Sequence, residues 1–139
     1  MVEGKEMVPD KEAAEKFQYV PEDKRLVLAH LGVAILALLV GALAGLFQTM
    51  ERAGWIQLPP TFSYYQLLTA PGVLLALVFT TLFIFGYLYA GLARTLGGEL
   101  TSNSRKWAWI GYVLMVIGVI LAAFTILTNQ ATVLYTFYA

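Results

Sequence analysis

The sequence predicts an all-α integral membrane protein with three spanning helices, and three observations carry that prediction. Hydrophobic residues make up 59% of the 139 positions and charged residues 13%, against about 45–50% and 25% in an ordinary soluble domain. Asp, Glu, Lys and Arg are absent from residues 26–50, 53–93 and 107–139. Each of these stretches exceeds the roughly 20 apolar residues that cross a hydrocarbon core. Too little chain remains for a separate soluble core.

Residues 1–25 form a polar leader ahead of a membrane domain at 26–139. Within the leader Glu12 and Lys16 stand four apart after Pro9 and Asp10, the pattern of a short surface helix, although a solvated tail is the simpler expectation. The run Ala42-Leu43-Ala44 resembles a signal-peptide cleavage site. The leader, however, is long and acidic rather than short and basic, which argues against cleavage. The first span is expected at 26–47. It ends in a loop containing Glu51, Arg52, Gly54 and Trp55, and Pro59-Pro60 stops any continuing helix.

The second span is expected at 64–93. Thirty residues at about 1.5 Å each overshoot a core of about 30 Å, so this helix must tilt, kink or protrude. Gly97-Gly98 and Thr101-Ser102-Asn103-Ser104 mark the next turn. The third span is expected at 107–127, and the residues after it are too few to cross again.

Lys and Arg set the orientation. Lys5, Lys11, Lys16, Lys24 and Arg25 lie in the leader, and Arg94, Arg105 and Lys106 flank the second loop; the first loop has Arg52 alone. The N-terminus and second loop are therefore expected in the cytoplasm, with the first loop and C-terminus outside. Aromatic residues fit this frame, with Trp55, Phe62, Tyr64, Tyr65, Tyr135, Phe137 and Tyr138 at the outer interface. Tyr87, Tyr89, Trp107 and Trp109 mark the inner one. Nine basic residues balance nine acidic ones, so nothing points to nucleic acid. With no cysteine and one histidine, neither a thiolate metal site nor a histidine-rich one can be assembled from this chain.

Small residues recur four apart on every span: Gly41 and Gly45, Gly86 and Ala90, Gly118 and Ala122. Lipid gives helices no hydrophobic drive to associate, so such pairs mark places where backbones can approach. Three polar features inside the spans need an account. His30, about one turn inside the first span, reads either as a haem ligand or proton carrier or, more simply, as a neutral histidine hydrogen-bonded near the interface. Gln66 and Thr69 could line a polar path or bond to a neighbouring carbonyl, the second being simpler. Pro71 removes a backbone donor and frees the Leu67 carbonyl, so the second helix should kink in its outer third.

The run Tyr64-Tyr65-Gln66-Leu67-Leu68-Thr69-Ala70-Pro71-Gly72-Val73-Leu74, with its continuation to Thr80, resembles the second helix of subunit I in haem-copper oxidases. The likeness is to the B-type (ba-type) cytochrome c oxidases. Val40-Gly41, Gly45 and Phe47-Gln48 look like the end of that family's first helix, and residues 131–138 look like its segment after the third. The resemblance covers residues 24–139. It implies the start of a bundle of at least twelve helices in a respiratory enzyme of a bacterial or archaeal plasma membrane. That enzyme oxidises cytochrome c or a small copper protein, reduces oxygen to water and translocates protons.

In that family a Thr-x-His-Gly pattern on the second helix supplies an axial ligand to a low-spin haem. Here the pattern reads Thr69-Ala70-Pro71-Gly72, and proline has no donor atom. His30 lies more than about 10 Å away in depth, so it is no substitute. The other metal ligands of the family fall on later helices. The expectation is therefore a membrane-embedded part of a terminal oxidase that is not catalytic alone, partnered by the remaining helices of subunit I, other oxidase subunits and the bilayer. No residue is assigned a catalytic or metal-binding role. A haem held by partner helices would lie against the face of Leu68, Pro71, Leu75 and Val78, which also presents Leu67 and Leu74; the isolated chain is expected to hold no cofactor. A non-catalytic accessory or assembly protein derived from the same family is the alternative.

Overall fold

The computed structural model describes residues 20–59, 64–97, 99–128 and 130, and of residues 64 and 65 the backbone alone. The possible leader helix around Glu12 and Lys16 and the segment 131–138 lie outside the described residues. Helix α1 runs over Pro21–Arg52. The second span is helical from Tyr64 to Thr95 in three pieces: α2 over Tyr64–Pro71, a π-helical segment over Gly72–Phe79, and α3 over Thr80–Thr95. Helix α4 runs over Ser102–Leu127. No strand occurs among the described residues, and three helices are long and apolar enough to cross a membrane.

Helix α1 starts five residues ahead of the expected span and ends five residues beyond it. Its local sequence explains both extensions. Pro21 sits in the first turn, where its missing N–H costs nothing and its fixed φ suits the helix. Glu22 and Asp23 follow at the positive end of the helix dipole and Arg52 lies at the negative end. The charged ends thus continue the helix past the apolar stretch instead of stopping it. Gly54, at φ 72°, terminates it. The Trp55 N–H donates to the Met50 carbonyl and the Gly54 N–H to the Glu51 carbonyl, a Schellman closure that needs the left-handed residue glycine allows. Gly97, at φ 83°, has the same place after α3.

After Pro71, where a kink is expected, the structure shows a widened helix. Proline gives no N–H, and its ring crowds the carbonyl four residues back; the following eight residues adopt π geometry. The Thr80 hydroxyl then donates back to the Ala76 carbonyl, partnering a group in the widened stretch. Runs of π helix are rare beyond a single turn.

Close approach organises the bundle. A Cβ on Gly41 would lie 2.9 Å from Leu75 and 3.0 Å from Leu74, and one on Gly86 would lie 3.1 Å from Leu31 and 3.2 Å from His30. Two of the three small-residue pairs thus bring α1 against the second span. Gly118 has nothing within 4 Å of its would-be Cβ. The core between the helices consists of Ala34 and Ala37 from α1, Val73, Val78 and Leu82 from the second span, and Ile126 from α4.

Candidate functional site

The site that the sequence singles out is the turn at Pro71. Pro71 faces α1: a Cβ on Gly45 would stand 3.7 Å from the proline Cβ and 3.9 Å from its Cγ. One turn further, Leu75 fills the space opposite Gly41. Val78 is buried among Ala34, Ala37 and Leu82, and Leu68 is half-buried. Leu67 borders an apolar groove of about 380 Å³, shared with Val40, Leu43, Ala44, Phe47 and Leu58. Gly45 carries its own local feature, since the Thr49 hydroxyl donates to the Gly45 carbonyl over 2.7 Å. Leu75 and Pro71 are thus both engaged with the glycine-bearing face of α1.

Gln66 takes the simpler of its two expected roles. Its Nε2 donates to the Leu127 carbonyl over 2.9 Å, which satisfies an acceptor that the end of α4 would otherwise leave open. Thr69 is buried beside it on the same helix, at 8% exposure.

His30 is fully buried. Its Nδ1 lies 2.9 Å from the Leu26 carbonyl. A carbonyl only accepts, so Nδ1 is the donor, and in a neutral ring Nε2 is then left with its lone pair. Tyr89 and Tyr112 flank the imidazole with ring centroids 5.2 and 4.8 Å away. Nε2 is buried and has no hydrogen-bond partner among the described residues. Along α1, His30 precedes Gly45, the neighbour of Pro71, by 15 positions, or about 22 Å of helix. One histidine therefore cannot serve the turn at Pro71, and the residues there offer no iron ligand. Among the described residues no three His, Cys, Asp or Glu side chains come together as a metal site.

A third cluster went unread in the sequence. Asp23 is completely buried. Its Oδ2 accepts the Leu100 N–H over 2.8 Å and its Oδ1 accepts Arg105 Nε over 2.6 Å. Arg105 also pairs with Glu22, reaches Glu99 at 3.7 Å and donates to the Leu100 carbonyl over 3.3 Å. One carboxylate thereby ties the start of α1 to the loop before α4 and to the first turn of α4. Asp23 and Arg105 are 82 positions apart, so no spacing links them. The one available signal is that the topology puts both at the same end of the bundle.

Three apolar helices, joined by glycine-assisted contacts and polar clamps at their ends, define a multi-pass membrane helix bundle. The chain belongs to the family described as cytochrome c and quinol oxidase polypeptide I, whose family model matches residues 25–139. It is similar to cytochrome c oxidase subunit 1 of Thermus thermophilus, with 37% identity over 134 residues, covering 91% of this chain and 23% of that protein. The chain thus spans about a quarter of the length of that relative. No solved structure matches it.

Proposed function

We propose that this chain is a structural, membrane-embedded part of a terminal-oxidase subunit I that does not itself ligate the low-spin haem. The observation that carries the reading is Pro71. It stands where the family resemblance calls for an axial histidine, it has no donor atom, and its ring packs on Gly45. Cytochrome c oxidation, oxygen reduction and proton translocation would then be activities of the assembled enzyme, with the chemistry on other helices. The remaining helices of subunit I and other oxidase subunits are the proposed partners. The plasma membrane of a bacterium or archaeon, with the N-terminus in the cytoplasm, is the proposed location.

The test is a redox difference spectrum of the chain in mild detergent with added haem, beside a Pro71→His variant. The parent should show no low-spin band. A band in the parent would sink the reading, because the chain would then ligate haem without a residue at position 71. Co-purification with a polypeptide carrying the remaining helices would support the oxidase assignment. Purification of the chain without such a partner, from cells that also contain an intact subunit I, would favour an accessory or assembly role.

A further inference from the structure

Independently of the turn at Pro71, one buried leucine stands out in the connection between α3 and α4. Leu96, Gly97, Glu99 and Thr101 are exposed there, whereas Leu100 is buried. Apolarity alone does not separate them, since Leu96 is 57% exposed and Leu100 is 2%. The difference lies in the backbone of Leu100. Its N–H donates to Asp23 Oδ2 and its carbonyl accepts from Arg105. Asp23 is completely buried, and taking a carboxylate out of water is costly even when it is paired. This chain meets that cost at the position that fixes Leu100.

The Leu100 side chain joins Leu26, Ala93 and Ala108 in an apolar cluster, against which Tyr89 and Trp109 pack. One turn further along α1 lies His30, seven positions or about 10 Å from Asp23. The two levels are joined: the Leu26 carbonyl accepts from His30 Nδ1, and Tyr89 packs both on the cluster and on the imidazole. Tyr112 closes the α4 side. His30 Nε2 is left as a buried lone pair with no partner among the described residues. A buried acceptor without a partner forgoes the hydrogen bond that water would supply, so it takes up water wherever a path opens. We infer that Leu100 is a plug latched by Asp23, that it closes the charged end of the bundle above His30, and that releasing it admits water to Nε2. The site is a gated water site, and the latch is the gate.

His30 is the only histidine in the chain, so carbethoxylation of imidazole by diethyl pyrocarbonate reads this site alone. The neutral Nε2 attacks a carbonyl carbon of the reagent, ethyl carbonate departs, and the Nδ1 proton passes to solvent. The full chain is held in lipid nanodiscs at about pH 7.5, above the usual histidine range, and mass spectrometry follows the group added at His30. The parent should react far more slowly than the denatured chain. Asp23→Ala should speed the reaction about tenfold, the shift in local opening expected from losing one buried hydrogen bond. Leu100→Ala should do the same while leaving the Asp23–Arg105 pair in place, which keeps the test readable if Asp23→Ala fails to fold. Glu99→Ala, beside the plug but exposed, should react as the parent does. Circular dichroism verifies that the helices persist in each variant. Parent His30 reacting as fast as in the denatured chain would overturn the plug. So would parent-like rates in folded Leu100→Ala, or an equal acceleration by Glu99→Ala, which would mean that any disturbance of the connection opens the bundle.

Discussion

Helix α1 and helix α4 are held in the bundle in opposite ways. Against α1 the contact is continuous, and glycine backbones let Leu74, Leu75, Pro71 and Leu31 come close at three levels. Against α4 the middle is loose. An apolar crevice of about 230 Å³ opens beside Leu77, Leu82, Met115 and Gly118, and another of about 220 Å³ lies near Val40, Leu74, Ala123 and Ile126. Polar links at its two ends hold α4 in place, Gln66 to Leu127 at one and Arg105 to Asp23 at the other. In a solvent as apolar as the side chains, close packing and hydrogen bonds are the available adhesives. This bundle uses the first for one helix and the second for the other. The wide exposed surface of α4, with Leu114, Ile120, Leu121 and Phe124 all beyond half exposure, is accordingly left for lipid or further helices.

The same small substitution on each side gives the sharpest contrast. Gly41→Ala puts a methyl 2.9 Å from Leu75 and 3.0 Å from Leu74, and should destabilise the bundle by about 1–3 kcal/mol through overpacking. Gly118→Ala enters open space and should stay within about 0.5 kcal/mol of the parent. Unfolding in mixed micelles with increasing denaturing detergent would measure both. Equal effects would end the distinction between the two interfaces.

Next in size, Asp23→Ala strands the buried Leu100 N–H, at a cost of about 1–3 kcal/mol, and releases Arg105. Its signature should be local, with faster amide exchange at the start of α4 and unchanged exchange in the α1 segment around Gly41. Uniform loosening would mean that the clamp is not specific to α4. A smaller loss than from Asp23→Ala is expected from Gln66→Leu. Hydrogen bonds between membrane helices average about 0.6 kcal/mol in double-mutant cycles. Cysteine cross-linking between positions near Gln66 and Leu127 should become less efficient, and an unchanged yield would show that packing around Ile126 holds that end by itself.

The span count and the glycine-marked turns are legible from charge gaps and glycine–proline punctuation, because a membrane core tolerates neither charges nor open backbone. Ser102, Asn103 and Ser104, however, read as turn residues and instead open α4. The ends of α1 are not legible. Charge does not mark the edge of the helix here: Pro21, Glu22 and Asp23 are good first-turn residues that carry it outward. Pro71 points to a kink, whereas the eight residues after it widen into a π-helix. Gly72–Phe79 has a nearly uniform apolar sequence, and uniform hydrophobicity has no period from which a wider turn could be read. The family resemblance identified position 71 as the interesting one but gave no hint that its ring rests on Gly45. The Asp23 clamp joins residues that only the folded chain brings together. The orphaned Nε2 of His30 depends on a tautomer set by the Leu26 carbonyl, which no residue count discloses.

The widened stretch between Pro71 and Thr80 also acts as a phase adjuster for everything after it. Removing one residue there would turn the rest of the helix by about 100° and draw it back by about 1.5 Å. Gly86 would swing away from Leu31 and His30, and a side chain would arrive where even a Cβ would stand only 3.1 Å from Leu31 and 3.2 Å from His30. The two halves of the second span can both address α1 because this segment sets their angular offset. Insertions and deletions should therefore be tolerated in the loops and excluded here, even though every residue in the segment is an interchangeable-looking aliphatic, glycine or phenylalanine.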